Sequence, residues 1–95
     1  MIDVLVEFAG VTRVLTKTQQ LTLSVPEHTT FRTVVHMLGE RFPELVGHVI
    51  DPADNTLYAS TSLSLNGKSI IAAERWDESP EAGDRLIFLS LMAGG

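Results

Sequence analysis

Ninety-five residues, 44% hydrophobic and 20% charged, suffice for one small globular domain around a single modest core. Twelve acids against seven bases give a net charge of −5, which excludes the clustered Lys and Arg of a nucleic-acid surface. There is no cysteine, so disulfides, thiolate nucleophiles and cysteine metal sites are excluded, and any sulfur the protein handles cannot sit on a side chain.

The first predicted element is a strand over residues 2–9. Ile2, Val4, Val6 and Phe8 alternate with Asp3, Leu5, Glu7 and Ala9, so the even positions face a core and Leu5 falls on the opposite face. No basic segment followed by a signal-like apolar stretch opens the chain. No apolar run approaches the ~20 residues of a membrane span. The expected location is the cytoplasm, with no membrane partner. Residues 10–19, with Gly10 and Thr16-Lys17-Thr18-Gln19, read as a long hairpin loop. A second strand follows over 20–25, where Leu21, Leu23 and Val25 alternate with polar residues, and Pro26 ends it.

Residues 31–42 carry the one convincing helix. Thr29 or Thr30 supplies the N-cap hydroxyl, and Phe31, Val34, Val35, Leu38 and Phe42 form one apolar stripe. Pro43 terminates it. Gly39 costs up to ~1 kcal/mol inside a helix and is expected to allow close approach to the sheet. From 43 to 61 the pattern weakens. Leu45, Val46, Val49 and Ile50 fit a short helical turn or an irregular apolar segment, Asp51–Asn55 is a turn cluster, and Leu57-Tyr58 begins a short strand.

A hairpin spans 62–71 around Asn66-Gly67, a pair suited to a type I′ turn. Residues 72–84 are a loop in which Trp76 anchors to the core. The closing strand, 85–91, is almost continuously apolar, as expected of a strand central in a sheet or covered on both sides. The hairpins and last strand then share one sheet under the helix, with the first and last strands side by side.

The chain closes on Ala93-Gly94-Gly95. Without side chains, two glycines thread a carboxylate through a slot that any Cβ would block. A frayed tail is the alternative. His28, His36 and His48 make no metal spacing and read as surface or structural residues. The serines sit in no nucleophile elbow, and the turn glycines form no phosphate-binding loop.

The β-β-α-β-β order, the Leu65-Asn66-Gly67-Lys68 hairpin, the Glu81-Ala82-Gly83-Asp84-Arg85-Leu86 entry to the last strand and Gly94-Gly95 together resemble the MoaD and ThiS group of small sulfur carriers. The resemblance implies an α+β, β-grasp (ubiquitin-like) roll: a mixed four- to five-stranded sheet on one main helix, a single domain over 1–95 with a flexible tail at 92–95. It departs from the group at Ser90-Leu91-Met92-Ala93, where members often place a rigid Pro-Pro segment, and over 45–61, which is longer than in the minimal member.

What the resemblance implies for function is a carrier, not an enzyme. The carboxylate of Gly95 would be adenylated by an E1-like enzyme and converted to a thiocarboxylate. Ala93 and Gly94 would thread the partner's active site, and a sulfur-accepting synthase would take the sulfur. The chain would bind no cofactor or metal, and ATP would be used by the activating partner. Molybdopterin or cysteine biosynthesis is favoured over thiazole, whose carriers tend to be shorter. Leu5, Leu89 and Leu91 would share the sheet face away from the helix as a docking patch, or be covered by the 45–61 segment. Glu7 and Asp84 would steer a basic groove or be ordinary solvated charges. The competing readings are a ubiquitin-like modifier conjugated to lysines and a non-covalent interaction module. With Lys17 and Lys68 the only lysines, chain building on itself is disfavoured.

Overall fold

The structure, a computed structural model, describes residues 1–90. In chain order the elements are β1 (Ile2–Phe8), α1 (Val11–Thr16), β2 (Gln20–Val25), α2 (Phe31–Arg41), β3 (Ile50–Asp51), β4 (Thr56–Leu57), β5 (Thr61–Leu65), β6 (Ser69–Ile71) and β7 (Arg85–Ser90). Two 3-10 turns, Pro43–Leu45 and Ala73–Asp77, lie between them. Strands β2-β1-β7-β5-β6 form one sheet, and β3 and β4 a separate small ribbon.

Alternation in the sequence becomes the two faces of the sheet. Val4, Val6 and Phe8 of β1 are buried, as are Leu86 and Phe88 of β7 and Leu63 of β5. They meet the α2 stripe of Phe31, Val34, Val35 and Leu38 in one core. Thr30 caps α2, its hydroxyl accepting from the Thr33 N–H at 3.1 Å, so of the two threonines offered by the sequence it is the later one that satisfies a free donor of the first turn. Trp76 is 8% exposed and belongs to the same core, which pins the 73–77 turn beneath α2.

β1 pairs antiparallel with β2 and parallel with β7, in the register Leu5 to Arg85 through Phe8 to Phe88. The expected central placement of the first and last strands holds. The β5–β6 hairpin turns through Asn66 at φ 57° and Gly67 at φ 70°, both in the left-handed region that the Asn-Gly pair predicts. Lys68 N–H closes that turn on the Leu65 carbonyl at 3.0 Å.

Two expectations are corrected. Residues 10–19 are not a plain loop but contain α1. Its six residues include four β-branched ones and have low helix propensity. The turn is held instead by side chain–backbone bonds: Ala9 N–H donates to Thr12 Oγ1 at 3.1 Å, Thr12 Oγ1 donates back to the Ala9 carbonyl at 2.7 Å, and Thr16 Oγ1 donates to the Thr12 carbonyl at 2.8 Å. Gly39 allows close approach to the 45–50 segment, not to the sheet: a Cβ there would lie 3.1 Å from Val46 Cγ2 and 3.4 Å from Ile50 Cδ1. The last strand is central in the sheet, as expected, and its two faces differ in cover. Leu86 and Phe88 are buried on the helix side, while Ile87 and Leu89 are half-buried on the other.

An exposed clamp ties three of these parts together. Arg32 on α2 donates to both Asp77 carboxylate oxygens, at 2.9 and 3.4 Å, and to the Asp54 carbonyl at 2.6 Å. The Arg32 bond, and then its charge, hold the Asp77 carboxyl below the ordinary carboxylate range. Asp54 is lowered by donation from the Thr56 hydroxyl and N–H. A carboxyl whose pKa falls on folding stabilises the fold above its unfolded value and loses that contribution as pH drops through the folded one. Arg32→Ala is therefore expected to lower Tm modestly at pH 7, as surface pairs do, and the gap to wild type should narrow below pH ~4. Thermal melts of both proteins across that range check this.

Candidate functional site

The candidate site is built from β7 and the sheet face opposite the helix. Entry to β7 is a tight turn, Glu81–Asp84. Gly83 sits at φ 85°, and its N–H donates to the Asp3 carbonyl at 2.8 Å. The Asp84 carboxylate accepts from Glu81 N–H at 2.8 Å and from Asn66 Nδ2 at 3.0 Å. Asn66 in turn accepts from Arg85 N–H at 2.8 Å through its side-chain oxygen. The turn and the Asn-Gly hairpin thus brace one another, and β7 leaves them in a fixed direction, away from the turn toward residue 90.

On the outer face the register sets the rows. Leu5 lies beside Arg85, and Glu7 beside Ile87. On β5, Ser64 pairs with both Ile87 and Ile70, and Ser62 with Leu89. Ser64 is 4% exposed between its two isoleucines, while Ile70 is 47% exposed. The result is an apolar strip of Ile70, Ile87 and Leu89 running toward the end of β7. Arg85 Nε and Glu7 Oε2, 3.1 Å apart, separate that strip from Leu5.

The structure therefore places Leu5 and Leu89 on the same outer face, both half-buried, with the Glu7–Arg85 ion pair between them. Leu45, Val49 and Ile50 of the 45–61 segment pack into the core on the helix side. Leu91, Ala93, Gly94 and Gly95, with the expected tail at 92–95, lie outside the described residues. Of the two acids, Glu7 is paired with Arg85 at the surface, and the Asp84 carboxylate accepts bonds within its turn.

Ile87 and Ile70 were not singled out from the sequence. In a run as apolar as Leu86-Ile87-Phe88-Leu89 no alternation distinguishes the faces, whereas Ser62 and Ser64, alternating with leucines on the neighbouring strand, carried the signal. Among the described residues no group of three His, Cys, Asp or Glu side chains is placed to hold a metal, and no helix is long and apolar enough to cross a membrane. A hollow of about 360 Å³ lined by Ile2, His28 and Pro80 lies where β1 begins, at the opposite end of the parallel β1–β7 pair from Phe88.

No family model matches the sequence, and no curated protein matches it. Solved structures do. Small archaeal modifier protein 1 of Haloferax volcanii is 22% identical, with 98% of this chain and 99% of that one covered, at a TM-score of 0.81. The chain has the ubiquitin-like β-grasp fold. Urm1 of Trypanosoma brucei shares this β-grasp at 25% identity, with 98% and 95% covered and a TM-score of 0.75. A chain from the Amycolatopsis orientalis BexX/CysO complex shares it at 16% identity, with 97% and 99% covered and a TM-score of 0.72. In each case the β-grasp covers nearly the whole of both chains, so the β3–β4 ribbon and α1 are details within a shared architecture rather than an added domain.

Proposed function

We propose that this β-grasp protein is a sulfur carrier whose Gly95 carboxylate is activated by an E1-like enzyme. The carrying observation is the central strand β7, braced at its entry and flanked by the Ile70–Ile87–Leu89 strip, leading into Leu91–Gly95. A carboxylate is a poor acyl donor because its leaving group would be oxide. ATP converts it to an acyl-adenylate with release of pyrophosphate, and a sulfur nucleophile then displaces AMP to leave a thiocarboxylate. General bases, metal and nucleotide belong to the partner. The carrier supplies an unhindered acyl end on a rigid body. Partnering with another protein fits the structural neighbour that was solved within the BexX/CysO complex. Molybdopterin or cysteine biosynthesis is the proposed destination of the sulfur, and the cytoplasm the proposed location.

Intact mass spectrometry after incubation with ATP, an activating enzyme and a sulfur donor tests the reading: oxygen exchanged for sulfur adds ~16 Da to the acyl end. Conjugates through lysine amines alone would favour the modifier reading, which the name of the Haloferax volcanii neighbour supports. The strip makes a separate prediction. Ile87→Arg places a charge in the middle of the docking surface and is expected to raise KM for the activating enzyme by at least about tenfold, with kcat nearly unchanged. Steady-state adenylation kinetics check it, with circular dichroism confirming the fold.

A further inference from the structure

The two edges of the sheet differ. β6 is only three residues long, whereas β2 runs for six, Gln-Leu-Thr-Leu-Ser-Val, with no charge, proline or glycine. Proteins ordinarily blunt an edge of that length with lysine, proline or a bulge. The direction of the free backbone groups follows from the ladder. Phe8 N–H donates to the Gln19 carbonyl at 2.9 Å, and Leu5 N–H turns the other way, to the Asp84 carbonyl at 2.9 Å. In an antiparallel pair the bonded positions alternate, so Val6–Leu21, Val4–Leu23 and Ile2–Val25 exchange bonds, while Gln20, Thr22 and Ser24 turn their N–H and C=O groups outward. Among the described residues no strand pairs with that side of β2.

We infer that β2 is a self-pairing edge, and that its occupant is the β2 of a second copy of this chain. The strand is self-complementary about Thr22. Antiparallel pairing there sets Thr22 against Thr22, Gln20 against Ser24, and Leu21 against Leu23, and each outward N–H meets an outward carbonyl. Like charges directly opposite one another destabilise a strand pair, and this strand brings none. Leu21 and Leu23 are half-buried and packed at the margin of the core. A two-fold axis perpendicular to the sheet keeps both copies' leucines on the helix side, where they form one apolar layer continuous between the two cores. The dimer leaves β7, β5 and β6 free, since β1 stands between β2 and the strands that carry the outer strip. The inference does not depend on the proposed carrier chemistry.

Sedimentation velocity of the full chain over a hundredfold range of concentration, up to about 1 mM, tests it, together with amide hydrogen exchange at the two ends of that range. Wild type is expected to shift from monomer to dimer, with concentration-dependent protection at Gln20, Thr22 and Ser24. Thr22→Pro removes an N–H that the β1 pairing does not use and should stay monomeric throughout. Thr22→Lys, at an exposed position, sets two ammonium groups against each other and should weaken the dimer several-fold with an unchanged thermal melt, which covers the case of a poorly folded proline variant. A wild type that is monomeric at the highest concentration overturns the inference. So does a dimer that both variants form as readily as wild type. Protection of the same three amides only when an activating enzyme is added would assign the edge to that enzyme instead.

Discussion

Deleting Gly94 and Gly95 is expected to abolish formation of the activated acyl end while leaving the fold intact. The strand pairs described run from Leu65 with Leu86 to Thr61 with Ser90, and the deletion removes none of them and no side chain. Changes that touch no such contact are expected to shift stability by no more than about 0.5 kcal/mol. The acyl chemistry, in contrast, is expected to fail, because the new terminal carboxylate, on Ala93, stands two residues short of the proposed reacting carbon of Gly95 and carries a Cβ beside it. Deletion should remove the ~16 Da gain altogether. Gly94→Val keeps the carboxylate but adds a branched side chain in the proposed slot. Since a misplacement of about 1 Å costs on the order of 100-fold in rate, adenylation should fall at least that far. Unfolding curves alongside the mass measurement separate loss of chemistry from loss of structure. If the deleted protein still restored sulfur transfer, the function would reside in the folded body.

Phe88→Ala is expected to be the most destabilising single change on the last strand, by about 3–5 kcal/mol. Phe88 is fully buried on the middle strand. Its ring centroid lies 5.4 Å from that of Phe8, and Phe8 in turn meets Phe42 edge-on at 5.4 Å. Truncation opens a cavity beneath both, where strands on either side limit collapse. Against a typical total of about 5–15 kcal/mol the loss brings the domain close to its unfolding midpoint. Ile87→Ala, one residue away but on the outer face and half-exposed, should cost far less. Urea unfolding of the two variants reads the difference directly as a shift in midpoint with a common slope.

That contrast between neighbouring residues also marks what the sequence made legible. β1, β2 and α2 announced themselves through period two and period 3.6, because each has one buried and one exposed side. The Asn66-Gly67 turn was readable because positive φ at both positions selects those residues. α1 was hidden: valine and threonine at four of its six positions speak against a helix, and what holds it is a set of threonine hydroxyl bonds that become visible only once Ala9 and Thr12 are placed together. The β3–β4 ribbon, two residues a side, is too short to show any period. The outer strip was half legible. Leu5 and Leu89 could be placed by counting along a strand, but Ile70 and Ile87 meet only through pairing register, a long-range property. Arg85 next to Glu7, which splits the patch, arises in the same way.

The parallel pairing of β1 with β7 has a consequence for how the molecule is made. β1 finds one of its two sheet neighbours only when β7 has been synthesised, about eighty residues later. Until then β1 and β2 form a hairpin with an apolar face and no floor, and an isolated hairpin is marginal in water. Folding of the sheet therefore waits for β7, and a nascent chain stalled before Arg85 stays exposed to proteases and chaperones. A cell would in this way hold the finished domain, or none.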